Sequence, residues 1–322
     1  MTVLIVLGQM AVLLAMMAIG AVGSKTGKLS FEFGKGLSWV VVNILNPILI
    51  IDGAFAGARE LDGTTFTQNF VFVLIYYAIS ILAGIVIMLI LRPKREHRSI
   101  YILMVTFANV GFMGIPVIKS VYGDAAVSLV IFYMLFFNLL AYTYGYFYAE
   151  KSGADLMNRE NKNTNILPEQ KKKRNPLLKI INPGVIACIF AFLIIIFKIE
   201  CPSFIKTFTN YMGNATIPMS MIVVGMSLGR AQIKDFLCDV RIYFMCFIRM
   251  LIIPILAAFV IKNLHFNPIV MGTFVLELSM PCGSVIGMLV TECGGDGDYC
   301  MKGILLSSVV SMITIPIVAF FL

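Results

Sequence analysis

The sequence predicts an all-α polytopic membrane protein with ten transmembrane helices, arranged as two inverted five-helix repeats in which broken helices 4 and 9 cross. Three observations lead there. First, 59% of the 322 residues are hydrophobic and only 13% are charged, whereas a soluble globular chain carries about 25% charged residues. Second, apolar stretches of about 20 residues, long enough to span a hydrocarbon core, recur along the whole chain. Third, two of these stretches are interrupted near mid-depth, one in each half. The first reads Ala108-Asn109-Val110-Gly111-Phe112-Met113-Gly114-Ile115-Pro116, and the second Glu277-Leu278-Ser279-Met280-Pro281-Cys282-Gly283-Ser284. Proline removes a backbone donor and glycine loosens a helix, so each stretch should unwind. Unwound backbone survives in hydrocarbon only where protein buries it or where it lines a cavity. A matched pair of such breaks is the sequence mark of a secondary-transporter binding site.

In chain order the predicted spans are Val3–Gly23, Gly36–Gly57, Thr67–Leu91, Ser99–Tyr122 and Ala125–Ala149, then Leu178–Lys198, Tyr211–Arg230, Asp239–Ile261, Asn267–Thr291 and Met301–Phe321. Val3–Gly23 reads as a first span and not as a signal peptide, because it is too long for an h-region and has no basic flank before it. The connections are short except for one polar segment that contains Lys171-Lys172-Lys173-Arg174. The chain therefore divides into a first repeat over 1–149, a linker over 150–177 and a second, inverted repeat over 178–322. Loops after odd-numbered spans carry 19 Lys and Arg and loops after even-numbered spans carry 5, the remaining one of 25 being Arg249 inside span 8. Positive charge marks the cytoplasmic side, which places the linker in the cytoplasm and both termini outside a plasma or inner membrane. The net charge of +8 is thus an orientation signal and implies no nucleic-acid partner; the lipid bilayer is the surroundings it fits.

Five spans per half is an odd number, so the second half enters with opposite orientation. Pro47 and Pro218 are 171 residues apart, and Pro116 and Pro281 are 165 apart, a weak internal echo of that repeat. Span 4 runs outward and span 9 inward, so their breaks can cross near the midplane. Two half-helix N-termini would then offer amides and positive dipole ends to one anion.

Glu277 lies about 15 Å into span 9 at 1.5 Å per residue, and Arg249 is similarly deep in span 8. Either the two form an ion pair that locks spans 8 and 9, or Glu277 takes up a proton or sodium ion while Arg249 holds it or meets a substrate carboxylate. Asn109 either satisfies backbone groups freed at the break or touches substrate. Asn46 and Asn43 either coordinate a cation or cap the kink at Pro47. Asn138, Ser220 and Ser227 read as interhelical hydrogen-bonding residues, and Tyr142–Tyr148 with Trp39 as interfacial anchors. The seven cysteines form no metal-type pair and the two histidines no metal cluster, so neither a metal nor another cofactor is expected beyond a coupling ion, H+ or Na+. An intramembrane enzyme would need a Ser/His pair, facing aspartates or a metal-binding His motif at depth. The spans contain none.

The Asn-Pro of span 2, Asn109-Val-Gly-x-x-Gly-x-Pro116 of span 4 and Asn182-Pro183-Gly184 opening span 6 resemble the auxin-efflux-carrier family over essentially the whole chain. Bacterial members of that family include malate and malonate permeases, and plant members move auxin anions. The resemblance implies a scaffold part and a moving transport part, crossed broken helices 4 and 9, organic-anion substrates and homodimers. It carries the family's crossover residues onto Asn109, Pro116 and Pro281. Plant members have asparagine near the second crossover, where this chain has Glu277, Ser279 and Ser284, a departure that argues against auxin-like substrates. The expected substrate site thus comprises Asn109, Gly111, Gly114 and Pro116 with Ser279, Pro281, Gly283 and Ser284; Glu277, Arg249 and Asn46 serve ion coupling or charge pairing, and Pro47 and Pro218 support the helix breaks. The expected activity is secondary active transport of small mono- or dicarboxylates, with an uncoupled facilitator or channel on the same fold as the alternative.

Overall fold

A computed structural model describes residues 2–60, 62–123, 126–164, 183–230 and 239–322. The run Lys171–Arg174, Asn182 and Cys238 lie outside them. All regular structure among the described residues is helical. In chain order the helices are α1 (Thr2–Lys25), α2 (Phe31–Val40), α3 (Asn46–Glu60), α4 (Gly63–Leu91), α5 (Arg98–Thr106), α6 (Ile115–Tyr122), α7 (Val127–Leu140) and α8 (Tyr146–Thr164). After these come α9 (Pro183–Phe197), α10 (Ser203–Arg230), α11 (Val240–Phe247), α12 (Ile253–Ile261), α13 (Pro268–Ser279), α14 (Ser284–Glu292) and α15 (Gly297–Ala319). Single π-helical turns at Val41–Leu45, Ala141–Gly145 and Ile248–Ile252 join α2 to α3, α7 to α8 and α11 to α12 without ending the helix; a fourth, Val110–Gly114, leads into α6. Seven of the resulting helices are long and apolar enough to cross a membrane, and Val110–Tyr122, Pro183–Phe197 and Pro268–Ser279 are shorter apolar ones.

Helices α1 and α10 pack backbone to backbone. A Cβ added at Gly225 would fall 2.0 Å from Met17 O, and one at Gly229 2.5 Å from Ala21 O. Small residues spaced by four let membrane helices approach this closely, where van der Waals contact drives association. The core is centred instead on the two broken segments: every residue from Ile100 to Ile118 and from Phe274 to Cys282 is buried.

Three features differ from the sequence expectations. Neither Pro47 nor Pro218 breaks its helix. Pro47 is the second residue of α3, directly after a π turn, and Pro218 sits inside the continuous α10. A membrane helix tolerates proline where neighbours and local π adjustments re-satisfy the freed carbonyl. Helix α10 starts at Ser203, eight residues before the expected Tyr211, because its polar first turns line a cavity. Helix α8 continues to Thr164, inside the segment assigned to the linker. It is held there by Arg159 Nη1 on Glu96 Oε1 at 2.9 Å and Arg95 Nε on Asp155 Oδ1 at 3.0 Å.

Candidate functional site

The two interrupted segments cross as an antiparallel bridge between Ala108 and Cys282. Asn109 N donates to Pro281 O at 2.7 Å and Gly283 N to Phe107 O at 2.9 Å, so each break satisfies the other's backbone. Glycine at 283 permits the approach, since a Cβ there would stand 3.0 Å from Ala108 O. Cys282 N donates to Ser307 Oγ of α15 at 3.0 Å. The Asn109 carbonyl accepts from Gly114 N at 3.2 Å, closing the π turn that starts the second half of the first break.

Beside this crossing lies a cavity of about 60 Å³. Its polar lining is four asparagines (Asn43, Asn46, Asn109 and Asn138) with Tyr142 and Ser284. Gly111 and Gly283 also face it, and no acid or base among the described residues does. Asn46 Oδ1 is buried without a hydrogen-bond partner. The first amides of a helix have no intrahelical acceptor, and two helix starts, at Val110–Gly111 and Ser284–Val285, line the same cavity. The cradle is therefore rich in donors and bears no fixed charge.

Asn43, Phe112, Tyr142 and Ser284 also line an adjoining cavity of about 440 Å³ that includes Ser38, Ser227, Lys35, Arg230 and Glu292. At the other end of α3 and α10 a cavity of about 390 Å³ is lined by Asp52, Lys119, Lys206, Asn210 and Asn214, and it shares no lining residue with the crossover cavity. The crossover cavity thus shares its wall with the cavity at one end of these helices and not with the one at the other.

Of the residues expected from sequence, Asn46, Asn109, Gly111, Gly283 and Ser284 line the cavity. Pro281 contributes its carbonyl to the bridge. Pro116 is buried near the start of α6, Ser279 Oγ turns back to Leu276 O at 2.7 Å, and neither lines the cavity. Gly114 faces away, against Glu277: a Cβ at 114 would meet Glu277 Oε1 at 2.5 Å. Glu277 is fully buried and neither carboxylate oxygen has a hydrogen-bond partner. Arg249 does not pair with it. Its Nε donates to Val105 O at 2.9 Å and its Nη1 to Met280 O, so the guanidinium joins the two breaks through their carbonyls.

Sequence reasoning assigned Asn138 and Tyr142 to other tasks and left Asn43 as a cation ligand or a kink cap. Asn138 does bond between helices, Nδ2 donating to Cys188 Sγ of α9 at 3.7 Å and also to Met134 O of its own helix at 2.8 Å, and it lines the cavity as well. Tyr142 lies in a π turn and lines both this cavity and the adjoining one.

A second polar cluster lies at the starts of α5, α11 and α15. His97 stacks on Tyr299 at 3.6 Å between ring centroids and places Nε2 3.0 Å from Asp296 Oδ2. Tyr299 OH donates to Asp239 Oδ2 at 2.7 Å. The His97 contact holds the Asp296 carboxyl below its ordinary range, against the opposing effect of partial burial.

A family described as membrane transport protein matches residues 5–319. An uncharacterized transporter of Methanothermobacter thermautotrophicus is 26% identical over 310 residues, covering 94% of both chains. Another, of Methanocaldococcus jannaschii, is 25% identical over 231 residues, 69% of each. The chain belongs to the auxin-efflux-carrier family of membrane transport proteins.

Proposed function

We propose that this protein is a secondary active carrier of small organic anions, mono- or dicarboxylates such as malate and malonate, with substrate held at the crossover of the two broken helices. The observation that carries the reading is the uncharged cradle of four asparagines faced by two helix N-termini. Backbone amides and positive dipole ends favour an anion, and asparagine amides add donors without a fixed charge to hold the ligand too tightly. A water needs about 10–15 Å³ of such space, so the cavity of about 60 Å³ suits a two- to four-carbon acid better than an indole.

In this reading the molecule is ten spans, with residues 1–149 and 178–322 as inverted repeats and 150–177 as a cytoplasmic linker, and it sits in the cell membrane as a homodimer with both termini outside. The wider cavity then opens to the cytoplasm, and access alternates as the crossover unit moves against α1, α3 and α10. Coupling uses a proton or a sodium ion.

The test is thermal stabilisation of purified protein by malate, malonate, succinate, lactate, pyruvate and indole-3-acetate. A ligand that binds the folded state raises its melting temperature by mass action, about 2.7 kcal/mol at a hundredfold excess over Kd. A shift with one small carboxylate that is lost in Asn109→Ala is expected. Shifts with amines or sugars alone would refute the anion reading. Non-saturating uptake by a protein that does bind would move it to the channel alternative.

A further inference from the structure

Breaking two helices at mid-depth frees backbone carbonyls, and such carbonyls are what hold a sodium ion in carriers that use one. Here four of them already have donors. Phe107 O and Pro281 O accept from the opposing break, and Val105 O and Met280 O accept from Arg249. Val105 lies in the last turn of α5 and Met280 caps the end of α13. The guanidinium, only 4% exposed, therefore sits where the negative ends of two half-helix dipoles converge. Three residues before Met280, Glu277 turns to the other side. Its carboxylate rests against Gly114 with both oxygens unpartnered, and the buried Tyr133 hydroxyl has no partner either.

Resting on the carrier reading, we propose that Arg249 is a tethered cation filling the place of an exchangeable sodium, and that Glu277 carries the proton of a one-to-one symport with a monocarboxylate. The charge balance gives the stoichiometry. A net charge at the bilayer centre costs about 3 kcal/mol or more, so both moving forms of the unit should be neutral. With Arg249 fixed as a cation, the empty unit is neutral when Glu277 is ionised. The unit loaded with a monoanion is neutral when Glu277 holds a proton. One proton thus moves from water to a Glu277 oxygen on the loading side and returns to water on the other, with no bond of the substrate changed. The groups that Glu277 bears on are Tyr76 and Tyr77 of α4 and Tyr133 of α7, and Arg249 bears on the same Tyr76. Farther along its neighbours are Lys119 and Tyr122 of α6, the latter against Gly272, Cys282 after the break, and Asp298, Tyr299, Cys300 and Lys302 in the first turns of α15.

The experiment uses proteoliposomes of the full chain and radiolabelled pyruvate, lactate and malate, measuring net uptake and counterflow. In the wild type, uptake driven by an acid-outside pH gradient is expected, with no response to a sodium gradient or to membrane potential. Glu277→Gln, a mimic of the protonated form, should keep counterflow within a few-fold and lose net uptake more than tenfold. Arg249→Lys, which keeps the cation, should remain sodium-independent, whereas Arg249→Gln, if it folds, should gain a sodium requirement. Uptake driven by sodium or by potential in the wild type, or net uptake surviving in Glu277→Gln, overturns this proposal and leaves the carrier reading intact. Absence of counterflow for every labelled acid overturns both.

Discussion

Asn46 faces the crossover cavity with a buried carbonyl oxygen that no protein group satisfies. Such an atom costs about 1–3 kcal/mol, a cost that a ligand or a bound water relieves. Asn46→Ala is therefore expected to change the melting stability of the ligand-free protein by no more than about 1 kcal/mol while removing the ligand-induced shift. A large loss of ligand-free stability would make Asn46 a structural residue instead. Asp296 behaves differently. Its carboxyl is held below the ordinary value of 3.8 by His97, so the folded state binds a proton more weakly than the unfolded chain. The stabilisation is present above pH 3.8 and lost as pH falls through the folded-state value below it. Melting curves of wild type and Asp296→Asn should differ near neutral pH and converge on acidification. A gap that widens in acid would contradict the assignment.

At the scale of elements, the two Gly/Pro-rich breaks are legible because proline and glycine act through the local backbone and need no neighbour to be recognised. The rest of the cavity wall is not, and the reason is the π turn. A π turn departs from the 3.6-residue period, so the facing of Asn43 and Tyr142, which lie inside two such turns, is not readable from spacing. π turns recur at functional sites, and here three of the four carry Asn43, Tyr142 and Arg249. The α1–α10 seam offers a direct check on packing. Gly225→Ala pushes a methyl against Met17 O and should destabilise by about 1–3 kcal/mol. Gly8→Ala, with nothing within 4 Å, should be neutral or gain up to about 1 kcal/mol of helix propensity. Equal effects at both positions would mean that the seam is not closely packed.

For the molecule as a whole, the wall that the crossover cavity shares with the cavity at one end sets an accessibility pattern. With Cys201, Cys238 and Cys293 replaced by serine, Ser227→Cys should react with a membrane-impermeant maleimide from the cytoplasmic side and be protected by ligand. Asn214→Cys should react only from the opposite side. Labelling of either from both sides would mean a continuous pore. Composition and loop charge were enough to read a polytopic helical protein, because hydrophobic length and Lys/Arg bias are summed over many residues. Arg249 and Glu277 stood out in sequence as charges inside apolar spans, and both are buried. Which way each side chain points around its helix depends on packing, and so their separate engagements, one with two carbonyls and the other with Gly114, emerge only in three dimensions.

The guanidinium that joins Val105 and Met280 has one more consequence. An ion borrowed from the surroundings can travel without cargo, and each idle trip dissipates the gradient that the cell maintains. A counter-charge fixed to the chain stays behind. On the tethered-cation proposal, the polar centre should stay assembled in fresh water as in brine, and an unemployed copy of the protein should not short-circuit its membrane.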